Sequence, residues 1–226
     1  MKLTYFGQSC FSVEINGKHI LFDPFITQNE LAKHIRLEDV KADYILISHG
    51  HFDHTADCIA LAKQNGATLV GSWEVVQWMQ ANGVEKGHPM NTGGKWAFDF
   101  GTVKCVNAIH SSGMPDGSYG GNPMGFIVST AEKSFYYSGD TALTLDMQLV
   151  PRWAQPSFAV LPIGDNFTMG YEDAIMASEM IQCTNIIGVH YDTFGYIKID
   201  HDKVKKAFAD AGLNLYMPGI GESIDL

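Results

Sequence analysis

Positive charge is scarce in this chain of 226 residues: 15 lysines and arginines face 25 aspartates and glutamates, for a formal net charge of −10. A field of that sign repels phosphate backbones, and no run of Lys or Arg reverses it locally, so nucleic acid is a poor candidate partner. No stretch approaches the roughly 18 apolar residues of a membrane span. The opening MKLTYFGQSCFSVEING lacks an unbroken apolar h-region and a small-residue cleavage site, and it reads as first strands rather than a secretion signal. The four cysteines, Cys10, Cys58, Cys105 and Cys183, form no CxxC pair. They read as buried thiols in a reduced compartment rather than as metal ligands. The glycine-bearing run GGNPMG at 120–125 does not open a helix and therefore carries little weight as a nucleotide loop. Linkers and low-complexity segments are missing as well. These absences describe a cytoplasmic enzyme with one domain over residues 1–226.

What is present is a core. With 46% hydrophobic and 12% aromatic residues the chain can bury a substantial interior. Strands are expected at Leu3–Phe6, Cys10–Ile15 and His19–Phe22, with Asn16-Gly17 as a hairpin turn and Asp23-Pro24 ending the hairpin. Tyr44–Ile47 follows as a short apolar strand, then a helix capped by Thr55 and running to about Gln64. A second such unit pairs the strand Ala67–Val70 with a helix capped by Ser72. Later strands fall at Trp96–Phe100, Val103–Ile109, Gly125–Ser129, Phe135–Tyr137, Phe158–Ile163, Asn185–Val189 and Leu213–Met217, with helices at Tyr171–Gln182 and Asp202–Ala211. Meander-like strand runs with interspersed helices suit an α/β layered fold of two sheets packed face to face, helices outside. The tryptophans Trp73, Trp78, Trp96 and Trp153, with Met169, Met176 and Met180, read as core and gap-filling residues.

The chemistry concentrates in ISHGHFDHTAD at 47–57, where His49, His51, Asp53 and His54 crowd one turn directly after an apolar strand. Burying so many neutral polar groups together would leave donors and acceptors unpaired, whereas a metal resolves the crowding with imidazole and carboxylate ligands. Three more ligand types stand first after apolar strands: His110 after VKCVNAI, Asp140 after FYYSG and His190 after NIIGV. Strand ends on a rigid sheet can converge on one cleft. Seven candidates exceed the three that a mononuclear catalytic zinc needs, and they suit two ions with a shared carboxylate. Asp43 and Asp57 flank the motif as partners that could orient a ligating imidazole.

These residues resemble the metallo-β-lactamase superfamily, whose HxHxDH signature is matched by HGHFDH and followed in order by the separate histidine, the SGDT aspartate and the late histidine. More narrowly, GDNFTMG, HPMNTGG and YGGNPMGF look like bacterial metal-dependent hydrolases related to the ascorbate-6-phosphate lactonases. The resemblance implies an αββα sandwich. It places His49, His51 and His110 on a first ion, and Asp53, His54 and His190 on a second, with Asp140 bridging. It implies two divalent ions, zinc first and manganese or iron as alternatives. Where relatives carry a histidine in a GHS triplet, this chain has Gly7-Gln8-Ser9.

The implied reaction is hydrolysis of a small ester, lactone, amide or phosphoester by a metal-bridging hydroxide, lactonase-like or phosphodiesterase-like, with Asp53 or Asp140 passing the proton. Gln8, Asn166, Thr168 and Thr193 are candidate substrate contacts, and the start of the Tyr171 helix could favour an anionic group. The lactonase relation implies a small anionic substrate, but no Arg or Lys cluster stands beside the motifs to clamp a phosphate. A catalytically silent metal-binding or sensor protein on the same fold is the alternative reading. A di-iron redox enzyme would carry Glu where His51 stands. Oligomeric state is not legible in any stretch.

Overall fold

Side-chain alternation decides the layers of this protein, of which a computed structural model describes residues 1–226. The first half of the chain lays down β1 (Lys2–Gly7), β2 (Cys10–Ile15), β3 (Lys18–Phe22), β4 (Tyr44–Leu46), β5 (Thr68–Ser72) and β6 (Lys86–Met90). The second half adds β7 (Lys95–Phe98), β8 (Gly101–Asn107), β9 (Met124–Ser129), β10 (Ser134–Tyr137), β11 (Phe158–Pro162), β12 (Asn185–Val189), β13 (Asn214–Tyr216) and β14 (Ser223–Asp225). One sheet has the order β14-β1-β2-β3-β4-β5-β6, the other β13-β12-β11-β10-β9-β8-β7. In each sheet antiparallel hairpins give way to parallel strands, from β3 to β6 and from β10 to β13.

Along β11, Phe158 and Val160 face the space between the sheets, while Ala159 and Leu161 face outward. In β4, Leu46 points inward and Ile45 outward. Strands apolar on both faces need cover on both. For the first sheet that cover is α1 (Phe52–Thr55), α2 (Cys58–Asn65) and α3 (Trp73–Ala81), with Leu61, Val75, Val76 and Met79 packed on Ile45 and Leu69. After the short α4 (Val150–Trp153), α5 (Tyr171–Met180) and α6 (His201–Asp210) cover the second sheet through Ala174, Ala177, Val204 and Phe208. The result is the expected αββα sandwich. At its centre Phe22 stacks on Phe11 at 4.5 Å and meets the ring of Tyr137 edge-on at 5.6 Å across the inter-sheet space.

Several local expectations are corrected. Thr55 caps no helix: α1 begins at Phe52 inside the motif, and the Thr55 hydroxyl donates to the His51 carbonyl at 3.0 Å. Three of the four tryptophans stay out of the core, since Trp73 is 57% exposed and Trp96 and Trp153 are exposed too, whereas Trp78 packs against it. Trp78 is half-buried, its indole N–H donating to Asp116. Met169 is buried as expected, but Met176 is exposed. The strand β6, KGHPM, has no β-branched residue to announce it; it sits at a sheet edge, where its proline is tolerated. All four cysteines are free and buried.

Replacing Phe22 by Ala should cost about 3–5 kcal/mol, since it opens a cavity among the inter-sheet aromatics. Trp73→Ala should stay within about 0.5 kcal/mol. Urea unfolding of the metal-free protein, comparing midpoints at constant m-value, checks both.

Candidate metal centre

The C-terminal ends of β4, β8, β10 and β12 reach the same edge of the sandwich, and each delivers part of the cluster. His49 follows β4 by way of Ile47 and Ser48. The chain then turns into α1, whose first turn holds Asp53 and His54. His110, Asp140 and His190 stand just beyond β8, β10 and β12. Backbone ties stitch these ends across the sheets: Met124 N–H donates to the Ser48 carbonyl at 3.0 Å and His190 N–H to the Gln8 carbonyl at 2.9 Å. Gln8, Asp23 and His190 all adopt left-handed φ, at 52°, 43° and 56°. Such strain in residues other than glycine collects where the surroundings over-determine the backbone. Gly164 has no room for a side chain, because a Cβ there would strike the His190 carbonyl oxygen.

The seven candidates fall into two groups, His49, His51 and His110 in one and Asp53, His54, Asp140 and His190 in the other, with the ligand atoms of each group within 4.8 Å of one another. Asp140 Oδ2 lies 2.9 Å from His190 Nε2, 3.2 Å from His54 Nε2 and 3.7 Å from His110 Nε2, so one carboxylate oxygen faces both groups. His54 Nε2 and Asp140 Oδ1 are buried without a hydrogen-bond partner. Orphaned atoms of this kind need an account in a native structure, and a cation between them supplies it. The donor set, imidazole nitrogen with carboxylate oxygen, fits divalent transition metals.

The residue that organises this centre is one the sequence reading passed over. Asp23, wholly buried directly after β3, accepts from Ser48 N–H at 2.7 Å, Ser48 Oγ at 2.6 Å, His54 Nδ1 at 2.9 Å and Tyr137 Oη at 2.5 Å. The single hydroxyl proton of Ser48 goes to Asp23, so Ser48 Oγ can only accept from His49 Nδ1, 2.9 Å away. His49 therefore carries its proton on Nδ1, His54 keeps one there whatever its charge, and both turn Nε2 toward the cluster. Asp23-Pro24 looks like a hairpin stop, but an aspartate directly after an apolar strand follows the same rule that finds His49 and Asp140. The expected orienting partners do other work. Asp57 holds the Ile26 and Thr27 amides, and Asp43 the His19 amide and Lys18.

Electrostatics divide the two groups. Burial, reinforced by the charge on His54, holds the pKa of His49 well below the usual value, and burial lowers His51 and His110 as well. These three are neutral, with lone pairs available. In the second group burial opposes charge, but the opposed partners prevail. Asp140 and Asp53 raise His54 well above its ordinary value, and Asp140 brings His190 up to about 9. Reciprocally, the imidazolium groups hold Asp53 and Asp140 well below the carboxylate range.

Of the candidate substrate contacts, only Thr193 lines the cleft over the cluster. Gln8 is buried beneath it, its side-chain amide donating to Asp53 Oδ2 at 2.8 Å. Asn166 lies in an adjoining depression with Tyr171 and Glu172, so the start of α5 does not face the cleft. Thr168 lines neither, and the cleft residue between them is Phe167. Asp23→Ala would strand His54 Nδ1, Ser48 and Tyr137 in the interior. A loss of about 3–5 kcal/mol is expected in urea unfolding of the metal-free protein, against no more than about 1 kcal/mol for Asp43→Ala at the partly exposed Lys18 pair.

Comparison with known proteins agrees with this geometry. Residues 18–191 match the model of the beta-lactamase superfamily domain. The chain is 53% identical, over all of both chains, to a UPF0173 metal-dependent hydrolase of Christiangramia forsetii, and 51% identical, also over full lengths, to one of Flavobacterium johnsoniae. Among solved structures it is similar to Igni18, a metallo hydrolase of Ignicoccus hospitalis, with a TM-score of 0.88 and 33% identity over 99% of this chain and 97% of that one. A chain with this fold, this edge cluster and relatives of this closeness belongs to the metallo-β-lactamase superfamily and is one of its metal-dependent hydrolases.

Proposed function

We propose that this hydrolase works with two divalent metal ions, zinc first among them, on a small ester, lactone, amide or phosphoester. His49, His51 and His110 would hold one ion, Asp53, His54 and His190 the other, with Asp140 shared. The observation that carries this reading is the position of Asp140 Oδ2, within 3.7 Å of imidazole nitrogens from both groups. When bound, such ions polarise a carbonyl or phosphoryl oxygen and lower the pKa of an attacking water.

The chain's own residues do the rest. Both aspartates line the cleft, but the Asp53 side chain is 19% exposed and that of Asp140 3%, so Asp53 is the carboxylate placed to take a proton from water and return it to the leaving oxygen. Gln8 holds Asp53 in place by donating to Oδ2, which leaves Oδ1 for that exchange. Ser111 Oγ, 3.3 Å from His51 Nε2, steadies the one half-buried imidazole of the motif. No helix is long and apolar enough to cross a membrane. The four unpaired buried thiols suit a reducing compartment, and the cytoplasm is the proposed location.

Inductively coupled plasma mass spectrometry on protein purified without chelator or histidine tag should find close to two ions per chain, and well under one in Asp140→Ala. Fewer than one in the native protein after metal supplementation would sink the dinuclear reading. A full metal complement with no hydrolysis across an ester, lactone and phosphodiester panel would favour the silent sensor instead.

Proton release offers a second check. Because the pKa values of His54 and His190 are raised, both carry a proton at pH 7 in the metal-free protein. Loading that group should then expel up to about two protons, and its affinity should climb with pH, less steeply once His190 has titrated near 9. Loading of the neutral trio should release almost none. Calorimetric metal titrations in two buffers of different ionisation enthalpy measure the difference.

A further inference from the structure

The cleft above the cluster has a volume of about 770 Å³, within the range of small-molecule sites, and no lysine or arginine lines it. Its floor is the histidine and aspartate cluster. Its rim is aromatic: Phe167 is 50% exposed, Phe194 38% and Tyr196 78%. Exposed aromatic side chains gathered at the mouth of a cleft mark an interaction surface more than scattered ones do.

These rings are exposed by construction. Phe167 stands at the tip of a turn closed by the Gly164–Gly170 bridge and by Asp165 N–H donating to the Met169 carbonyl at 3.1 Å. The turn is tied to the loop after β10 by Met169 N–H donating to the Thr141 carbonyl at 2.9 Å, and Met169 itself is fully buried. Phe194 and Tyr196 ride on a second loop, closed by Asp192 N–H to the Ile197 carbonyl at 2.8 Å and anchored by buried Ile197. Asp192 also accepts from Ile199 N–H at 3.1 Å and pairs with His201 at 2.6 Å. Phe167 and Tyr196 meet edge-on at 6.1 Å, and Phe194 continues through Phe25 at 6.2 Å to Phe52 at 5.6 Å. Two anchored loops thus meet through Phe167 and Tyr196 and hold one preformed apolar wall beside the cluster, which spares the ordering cost of binding.

Charge points the same way. Lys198 and Lys203 lie beyond Tyr196 in the adjoining depression, where Asp165, Glu172 and Asp200 also sit. A phosphate or carboxylate on the variable part of a substrate would meet no cation along the rim.

We propose that the cleft selects uncharged esters or lactones whose alkyl or aryl group lies against the apolar wall that Phe167, Tyr196 and Phe194 form at its rim, with the scissile carbonyl over the histidine and aspartate floor. This rests on the hydrolase reading above. In the reaction the acyl C–O bond breaks, the oxygen of water bonds to the acyl carbon, and a water proton goes to the leaving oxygen.

The test uses the metal-loaded full chain with p-nitrophenyl acetate, butyrate and hexanoate, the anionic p-nitrophenyl succinate, and bis(p-nitrophenyl) phosphate. Burial of each methylene is worth up to about fourfold, so kcat/KM should rise about two- to fourfold per methylene and exceed that for succinate at hexanoate. Phe167→Ala should lower the hexanoate-to-acetate ratio about tenfold, and Phe167→Leu should restore most of it. On the metal-free protein, the neutral fluorophore N-phenyl-1-naphthylamine should bind and lose affinity in the Phe167→Ala, Tyr196→Ala double variant. A flat series, or a preference for succinate or the phosphodiester with hydrolysis intact, overturns the selectivity and leaves the hydrolase reading standing. Should no substrate be hydrolysed, the ester reading falls and the fluorophore alone decides the cleft: Phe167-dependent binding supports an apolar site, and its absence overturns one.

Discussion

Asp23 accepts a hydrogen bond from Tyr137 on one sheet and from Ser48 and His54 on the other, in a place no water reaches. A carboxylate in the interior is tolerated only where its oxygens are fully engaged, and here its partners are fixed by the ends of β4 and β10 and by the first turn of α1. Its consequences spread outward. It joins the two sheets at the edge where they open, sets which nitrogen of His49 and His54 carries the proton, and so decides which nitrogens face the cluster. The pKa of Tyr137 is driven up by burial and by Asp23, so its phenol stays a donor.

Around this knot the fold tolerates features that would be costly elsewhere. Gln8, Asp23, His190 and Asp192 take left-handed backbone conformations, and buried polar atoms lack partners at His54 and Asp140. The same edge carries like-charged groups close together, two carboxylates and several imidazoles. The inter-sheet aromatic core supplies the stability that permits this. Phe11, Phe22, Phe126, Phe135 and Tyr137 interlock at ring separations of 4.5–6.2 Å directly behind the cluster. Strain and packing are therefore neighbours.

The site also separates tasks by environment. Burial keeps one trio of histidines neutral, while mutual attraction keeps the other group ionised. Beyond them the cleft changes character within one side-chain length, from ionisable floor to aromatic rim. The acidic balance of the whole chain and the lack of cations along this rim act together: neither offers an attraction to an anion.

Much of this was legible in the sequence because it is local. Continuous apolar runs such as FAVLP and NIIGV announce strands covered on both faces, and HGHFDH with the first ligand types after later strands names the seven residues that converge. What stayed hidden depends on partners distant along the chain. Asp23 and Asp57 both lie close to strand or motif, and only the crossing of two sheets gives Asp23 rather than Asp57 the imidazole. Asn166, Phe167 and Thr168 share one turn, and its bridge to Gly170 decides that the phenylalanine meets the cleft. Trp73 and Phe22 are equally apolar in composition, yet one lies exposed on α3 and the other at the centre of the sandwich. Sequence determined most of the strands, the fold and the residues that gather at the sheet edge, because apolar runs and residue chemistry are properties of short segments. Tertiary structure alone decided tautomer, orientation and the aromatic rim, because each depends on side chains that folding brings together from separate segments of the chain.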